Sequence, residues 1–565
     1  MDFRKKDCLA YSLMKEHDSD LYGYAPAYEG SGEEELVYGY SKYKSYYVYE
    51  HGAREEDFIQ YCKKLEREGF TLCSSKKANG NSFAIYTDGD NIVNVSYISY
   101  RDVDSYVLRD VSYVVIAVDS VRNSTLPYRC GEYERITHTQ VSVINVTFAM
   151  IVRLEDGRFI VIDSGLGAAT DRLYDELCLQ NVREGKPVVA AWLFSHPHSD
   201  HVNGFIGILK KYSDLIEIQS VIHNFPGESV YRGKNYAKFH NKCPGAEETV
   251  EEFKNRFSDD MTRRCEEIYR LMNEKIPQVK CTIAHAGQTF EYPGVTVEVL
   301  MTTENVYKRQ MHDTNICSVV YSLNMAGGKM IALGDAVDVE AKILRKIYAK
   351  ELRCDAVVLA HHALNGGDEE MYHDMRPKAA IWPNFVEGIF DGSRNLLCHY
   401  VNHFDANSVK YNFVMSSSEP AMTLYDGMPE DEIKHFAFDL GIRKGEAVNY
   451  DARKAPKNYL TEAELAEGYG DAPRYYGRGE WTETLVMNPE DKTYVITIND
   501  ATAYNFEYYC NSLKRDGRYS TFESREGDRL FATHANMTNA VDVLYYDGVM
   551  TITVGRAGER TLKYC

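Results

Sequence analysis

Four residues able to ligate a metal or carry a proton crowd six positions in the run SHPHSDH: His196, His198, Asp200 and His201. Imidazole nitrogens and carboxylate oxygens, with no thiolate among them, form a donor set suited to zinc, iron or manganese. His196 and His198 at i, i+2 on an extended loop can aim two imidazoles at one ion, while Asp200 and His201 can turn toward a second. Further groups of this kind close apolar runs: Asp163 in RFIVIDSGLG, Asp335 in GKMIALGDAVDVE, and His361 and His362 in CDAVVLAHHALNGG. Asp335 at a strand's C-terminal edge is placed to bridge two ions, and Asp163 is better suited to orienting a ligand histidine or the metal loop than to direct ligation. A single Asp after a strand is usually a turn former, but four such strand ends in one region point to a site.

The chemistry these groups support is hydrolysis. A water between two cations has its pKa lowered from about 15.7 to about 7, and the cations polarise the oxygen of a scissile carbonyl or phosphoryl group. Asp200 is expected to orient the nucleophile and shuttle its proton, with Asp335 holding the ions together. No P-loop pattern and no dinucleotide glycine fingerprint is present.

The elements that must position these residues are legible in outline. The apolar run from Ala190 to Phe194 predicts a buried strand leading into the histidine turn, and a helix is expected to start near Asn203. From about residue 138 to 425, strand-like runs alternate with helical stretches, which predicts a domain of mixed α/β class. On either side lie two stretches similar to one another at an offset of 448 residues: Tyr46, Phe58, Tyr61, Cys62, Leu65 and Val93 recur as Tyr494, Phe506, Tyr509, Cys510, Leu513 and Val541. Phe58, Tyr61, Cys62 and Leu65 lie at i, i+3, i+4 and i+7, one face of a helix that Gly69 can end, and alternating runs around it predict a β-α-β-β-β module. The expected organisation is an N-terminal α+β module over 1–135 (first copy about 44–100), the hydrolase domain over 138–425, a linker over 426–488 with a short helix near the capping-box pair Thr461 and Glu464, and a second module over 489–565. Scaffold, dimer contact and substrate lid are the roles these end modules suggest, with a homo-oligomer formed through them as a corollary.

At 565 residues and 64.5 kDa, the chain calls for about three domains. A formal charge of −20 repels polyanions and argues against general nucleic-acid binding, leaving a small-molecule substrate as the expected partner. The charged first residues carry no secretory pattern, and no apolar run approaches the roughly 20 residues of a spanning helix, so a cytoplasmic protein without membrane contact is expected. Thirteen cysteines without a C-x-x-C pair predict reduced, mostly buried thiols. The 44 tyrosines are expected to serve strand and helix packing rather than substrate stacking.

The order Asp163, His196-x-His198-x-Asp200-His201, Asp335 and His361 resembles the metallo-β-lactamase fold superfamily over roughly residues 138–385. That resemblance implies an αββα sandwich with a dinuclear site at one edge, most simply two Zn2+ ions, with manganese or iron as alternatives. The run Asn315-x-x-Ser318-Val-Val, Leu-Gly-Asp335 and Ala-His361-His362 is similar to competence-type DNA-uptake hydrolase domains and phosphocholine esterases, which implies a small phosphoester or phosphodiester substrate. A lactone, amide or thioester is the alternative; an iron-dependent redox enzyme and a non-catalytic binding module are the rival classes. Most members carry a third first-site histidine in a G-H-T-x-G segment that this chain lacks. His312 is the best positional substitute, with His223 and His285 weaker. Of the pair, His361 is expected as the ligand and His362 as a contact either to substrate or to a ligand residue.

Overall fold

Between Gln140 and Tyr425 the apolar runs pair into two sheets that lie face to face. In this computed structural model, residues 9–16, 23–38, 46–99, 112–144 (except 123, 127 and 128), 148–225, 250–306, 314–363, 366–385, 409, 411–415, 421–429, 484–499 (except 491) and 520–556 (except 527, 528 and 536–538) are described, with isolated positions from 501 to 513. The first sheet runs in the order Lys280–Ile283, Ser220–His223, Val188–Leu193, Phe159–Asp163, Ala149–Arg153, Gln140–Ile144 and Ala421–Tyr425, with Glu217–Ile218 beside Val188–Leu193. The second runs Thr289–Tyr292, Val295–Met301, Val320–Met325, Gly328–Ala332, Ala356–Val358, Ala379–Phe385 and Tyr411–Met415. Val143, Met150, Ile160 and Leu193 of the first face Val299, Tyr321, Leu323 and Met330 of the second across one continuous core. Phe159, Val161 and Trp192, on the outer face of the first sheet, pack instead with Phe205 and Leu209 of the helix Ser199–Lys211. Helices on the outside and two sheets within give the αββα sandwich expected.

In each sheet a block of neighbouring strands runs parallel: Phe159–Asp163 with Val188–Leu193 and Ser220–His223, and Gly328–Ala332 with Ala356–Val358 and Ala379–Phe385. Parallel strands bring their C-terminal ends to one edge, the usual place for a site in such sheets. Asp163, the histidine turn, Asp335 and His361-His362 all follow strands in these blocks.

The N-terminal module is a six-stranded antiparallel sheet in the order Glu33–Tyr38, Tyr46–His51, Tyr113–Ser120, Asn91–Ile98, Asn81–Thr87 and Thr71–Ala78. Within residues 44–100 it has the β-α-β-β-β order expected, and Tyr113–Ser120 returns from beyond that unit to pair with both Tyr46–His51 and Asn91–Ile98. The helix Glu55–Arg67 buries Phe58, Tyr61, Cys62 and Leu65 on one face of this sheet. The opposite face, with Tyr49, Phe83, Tyr113 and Val115, joins the core of the central domain. Phe83 stacks on Tyr348 with ring centroids 6.3 Å apart, and Asn81 Nδ2 donates to the Ile347 carbonyl at 2.9 Å. The module is therefore a buttress of the central domain, and its tyrosines Tyr46, Tyr47, Tyr49, Tyr61 and Tyr113 are buried.

The C-terminal sheet repeats that strand order: Thr484–Asn488, Thr493–Asn499, Val549–Arg556, Asn539–Tyr546, Arg529–Ala535 and Ser520–Glu526. Tyr494, Phe506, Tyr509, Cys510 and Leu513 lie in its core, as their counterparts 448 positions earlier lie in the first. Its first strand falls inside the stretch expected as linker, and Thr461 and Glu464 lie outside the described residues. Among the described residues no helix is long and apolar enough to cross a membrane.

Candidate metal centre

The strand Val188–Leu193 enters the histidine turn, and the helix Ser199–Lys211 leaves it with Asp200 in its first turn and His201 buried beneath. Ser195, which joins strand to turn, is held by Asp163: its amide donates to Oδ1 at 2.8 Å and its hydroxyl to Oδ2 at 2.7 Å. With that proton committed, the Ser195 Oγ accepts from His196 Nδ1 at 3.0 Å. Asp163 Oδ2 also accepts from His201 Nδ1 at 2.9 Å. Both rings therefore keep Nε2 for the centre, the tautomer a metal-ligating histidine needs.

Asp335 stands between two groups of donors. Its Oδ2 lies 3.6 Å from His196 Nε2, which is 2.9 Å from His198 Nδ1. Its Oδ1 lies 3.3 Å from His201 Nε2 and 3.6 Å from His362 Nε2, and His362 Nε2 is in turn 3.2 Å from His201 Nε2 and 3.3 Å from Asp200 Oδ2. Tetrahedral coordination with bonds of about 2.0–2.1 Å places neighbouring donors about 3.3 Å apart. The two groups, His196, His198 and Asp335, and Asp200, His201 and His362, fit that spacing.

The electrostatics agree. Burial alone would lower His201, yet Asp335 and Asp163 raise its pKa well above the ordinary imidazole value. His362 is raised against its own burial, chiefly by Asp335, then by its hydrogen bond with Asp200. Burial would raise Asp335, but the surrounding imidazoles of His201, His362 and His196 hold it well below the carboxylate range. His196 is driven the other way, by burial first and then by His201, and is neutral. Such a pocket stabilises positive charge at its centre, so the residues fit a divalent cation on both donor spacing and potential.

Two backbone features set this geometry. Gly334, at φ +55°, lets the chain turn after its strand, and a Cβ there would come within 2.7 Å of Ser195 Cβ. His361, His362 and Ala363 form a left-handed turn at φ +51°, +54° and +56°, a conformation costing L residues about 1–2 kcal/mol each. His361 N–H donating to the Gly334 carbonyl at 2.9 Å and Asn384 Nδ2 donating to the His362 carbonyl at 3.0 Å hold it. The turn swings His362, rather than His361, into the second donor group. His361 Nε2 lies 3.8 Å from Asp335 Oδ2 and 3.2 Å from Asn315 Nδ2. Among the described residues it is thus His362, and not the His361 expected as ligand, whose Nε2 lies among the donors of the second group.

Residues 144–258 match the model of the metallo-beta-lactamase superfamily. The matched stretch holds Asp163 and the histidine turn and ends before Asp335 and His362. Among solved structures, the chain is similar to Zn2+-bound PqqB from Methylobacterium extorquens, with 14% identity and TM-score 0.25 over 40% of this chain and 63% of that one. It is also similar to the metallo-beta-lactamase fold protein YhfI from Bacillus subtilis, with 10% identity and TM-score 0.26 over 43% and 85%. CmlA, a diiron beta-hydroxylase from Streptomyces venezuelae, is 11% identical with TM-score 0.30 over 52% and 55%. The chain thus spans 63% of the length of the first of these structures. No curated protein matches the sequence.

The central domain brings together His196, His198, Asp200, His201, Asp335 and His362, with Asp163 behind them and His361 beside them. His312 lies outside the described residues. His223 is turned away: its Nδ1 accepts from the Phe225 amide at 3.0 Å, its Nε2 lies 3.1 Å from Cys281 Sγ, and burial lowers its pKa to about 3. His285 lies between Glu304 and Asp119, at 2.6 and 2.7 Å. Sequence reasoning missed Ser195, whose only signal was its place immediately before His196, and Phe148, whose ring centroid is 5.6 Å from that of His201 and 6.2 Å from that of His362.

Two expected results follow from the supports. Asp163→Ala frees both His201 Nδ1 and Ser195, and metal affinity should fall about 10- to 100-fold while the fold persists; isothermal titration with Zn2+ checks this, and unchanged affinity would remove Asp163 from the site. Gly204→Ala places a methyl 1.9 Å from the Ser164 carbonyl oxygen, in a helix whose Gly204 N–H donates to the Gly165 carbonyl at 3.0 Å. The helix carrying Asp200 and His201 must shift, so both thermal stability and metal affinity should drop, although alanine favours an isolated helix.

Proposed function

We propose that the protein is a metal-dependent hydrolase acting on a small phosphoester or phosphodiester. The carrying observation is Asp335, whose two oxygens each face a separate group of donors. When bound there, divalent cations such as Zn2+ supply acidification of water and polarisation of a scissile phosphoryl or carbonyl oxygen.

The chain's own residues supply the rest. Asp200 is one-third exposed, and a hydrogen bond from His362 keeps it ionised against the effect of burial, so it is available to accept a proton from an attacking water. Asp163 and Ser195 fix the imidazoles, which removes reorganisation from the reaction. Asn315 and His361 lie beside the bridging carboxylate as polar groups for the oxygens of a tetrahedral substrate. The charge of −20 supports a small substrate over a long polyanion.

The deciding experiment is a panel of aryl phosphomonoesters and phosphodiesters run beside lactones and thioesters, with metal content measured on the same preparation. Turnover of the phosphate panel, reduced about 100- to 10,000-fold in Asp200→Ala, is the expected result. Turnover of acyl substrates alone would overturn the phosphoester reading and leave the hydrolase. Stoichiometric iron without hydrolysis of either panel would overturn both.

A further inference from the structure

The long helix Val250–Lys275 packs Cys265, Ile268, Tyr269 and Met272 into the domain core, and Lys210 of the neighbouring helix pairs with its Glu267 at 2.6 Å. Arg264, one turn before Ile268, extends this inward stripe toward the metal loop. Its Nη1 donates to the Pro197 carbonyl at 2.8 Å, and Pro197 is the residue between His196 and His198. Arg264 is half-buried, while His198 and Asp200 form the partly open side of the loop.

We propose that Arg264 is the anion-anchoring residue of the site, binding a phosphoryl oxygen of the substrate. Three observations converge. A guanidinium held by a neutral carbonyl keeps its whole charge for another partner, whereas one held by a carboxylate does not, and Arg264 makes no ion pair among the described residues. One N–H of five is committed to Pro197, which leaves the planar fork free to meet two phosphoryl oxygens. The anchor is fixed to Pro197, the residue between the two histidines of the first donor group. In a chain with 84 acidic and 64 basic residues, a fixed cation at this position offsets the repulsion that an anionic substrate meets elsewhere.

This inference rests on the phosphoester reading for its substrate but is testable without turnover. Zn2+-loaded wild-type protein, R264K and R264Q would be titrated with inorganic phosphate by calorimetry, with metal content measured on each. R264K keeps a donor for Pro197 and the charge but loses the fork. The expected result is phosphate binding weakened about 10-fold or more in R264Q and less in R264K, with metal content unchanged in both. Equal phosphate affinity in wild type and R264Q, or no phosphate binding by the wild type, overturns the proposal. Loss of metal in step with loss of phosphate also overturns it, since Arg264 would then only brace the loop. If R264Q loses phosphate binding but no phosphoester is hydrolysed by the wild type, the substrate reading falls and the anion anchor stands. If phosphoesters turn over with KM unchanged in R264Q, the anchor falls and the substrate reading stands.

Discussion

Asp335→Asn should empty both halves of the metal centre at once. Asparagine keeps the shape but replaces one acceptor oxygen by an N–H donor, so it cannot present an acceptor both to His196 and to the His201 and His362 pair. It also removes the negative charge that leads the upward shift of His362 and opposes the burial of His201. Changes behind a metal ligand cost about 10- to 100-fold, and the loss of a ligand shared by two groups should exceed that, with turnover reduced more than about 100-fold. The backbone is anchored independently, since the Asp335 amide donates to Ser318 Oγ at 3.0 Å. The variant is therefore expected to fold, with near-wild-type circular dichroism. Elemental analysis after dialysis is the direct measurement, and a full metal complement in the variant would sink the bridging assignment.

The second large effect lies at the seam between the N-terminal module and the central domain. His285 is 2% exposed and is gripped by Glu304 of its own domain and Asp119 of the module. Burial alone would lower its pKa, but the two carboxylates push it up to about 10. His285→Gln leaves this buried charge set uncompensated and should destabilise the protein by about 3–5 kcal/mol. The pH dependence has a definite sign. The folded pKa is raised above the ordinary 6.5, so the stabilisation is fully present below about 6.5 and is lost as pH rises through about 10. Within that window it declines by about 1.4 kcal/mol per pH unit. Urea unfolding of wild type and H285Q at pH 6.5, 8 and 9.5 should show the gap between them closing as pH rises. A constant gap would mean that His285 is neutral in the folded protein.

Both effects bear on how far the sequence could be read. The histidine turn was legible because its four donor residues are local: strand and turn geometry alone bring His196, His198, Asp200 and His201 together. The place of Asp335 between the two donor groups was legible because apolar runs mark strand ends, and parallel strands gather those ends at one edge. His285 was the opposite case. It follows an apolar run, as a ligand would, but its partner Asp119 lies 166 residues away on another module, and nothing local announces that pairing. The end modules showed their kinship through residues 448 apart, yet the face that Phe83 presents to Tyr348 depends on the neighbour it meets.

By itself, the sequence determined the alternation of strands and helices in the central region, the donor types, the local histidine turn and the acidic balance that disfavours polyanions, because each follows from periodicity, spacing or composition. Only the tertiary structure decided which of two adjacent histidines enters the second donor group. Side chains one residue apart are equivalent in spacing, and the choice came from a left-handed turn held by Gly334 and Asn384, residues brought to it by the fold. The tertiary structure also decided that the N-terminal module shares the core of the central domain and that Arg264 reaches the histidine turn, because both depend on contacts between segments far apart in the chain.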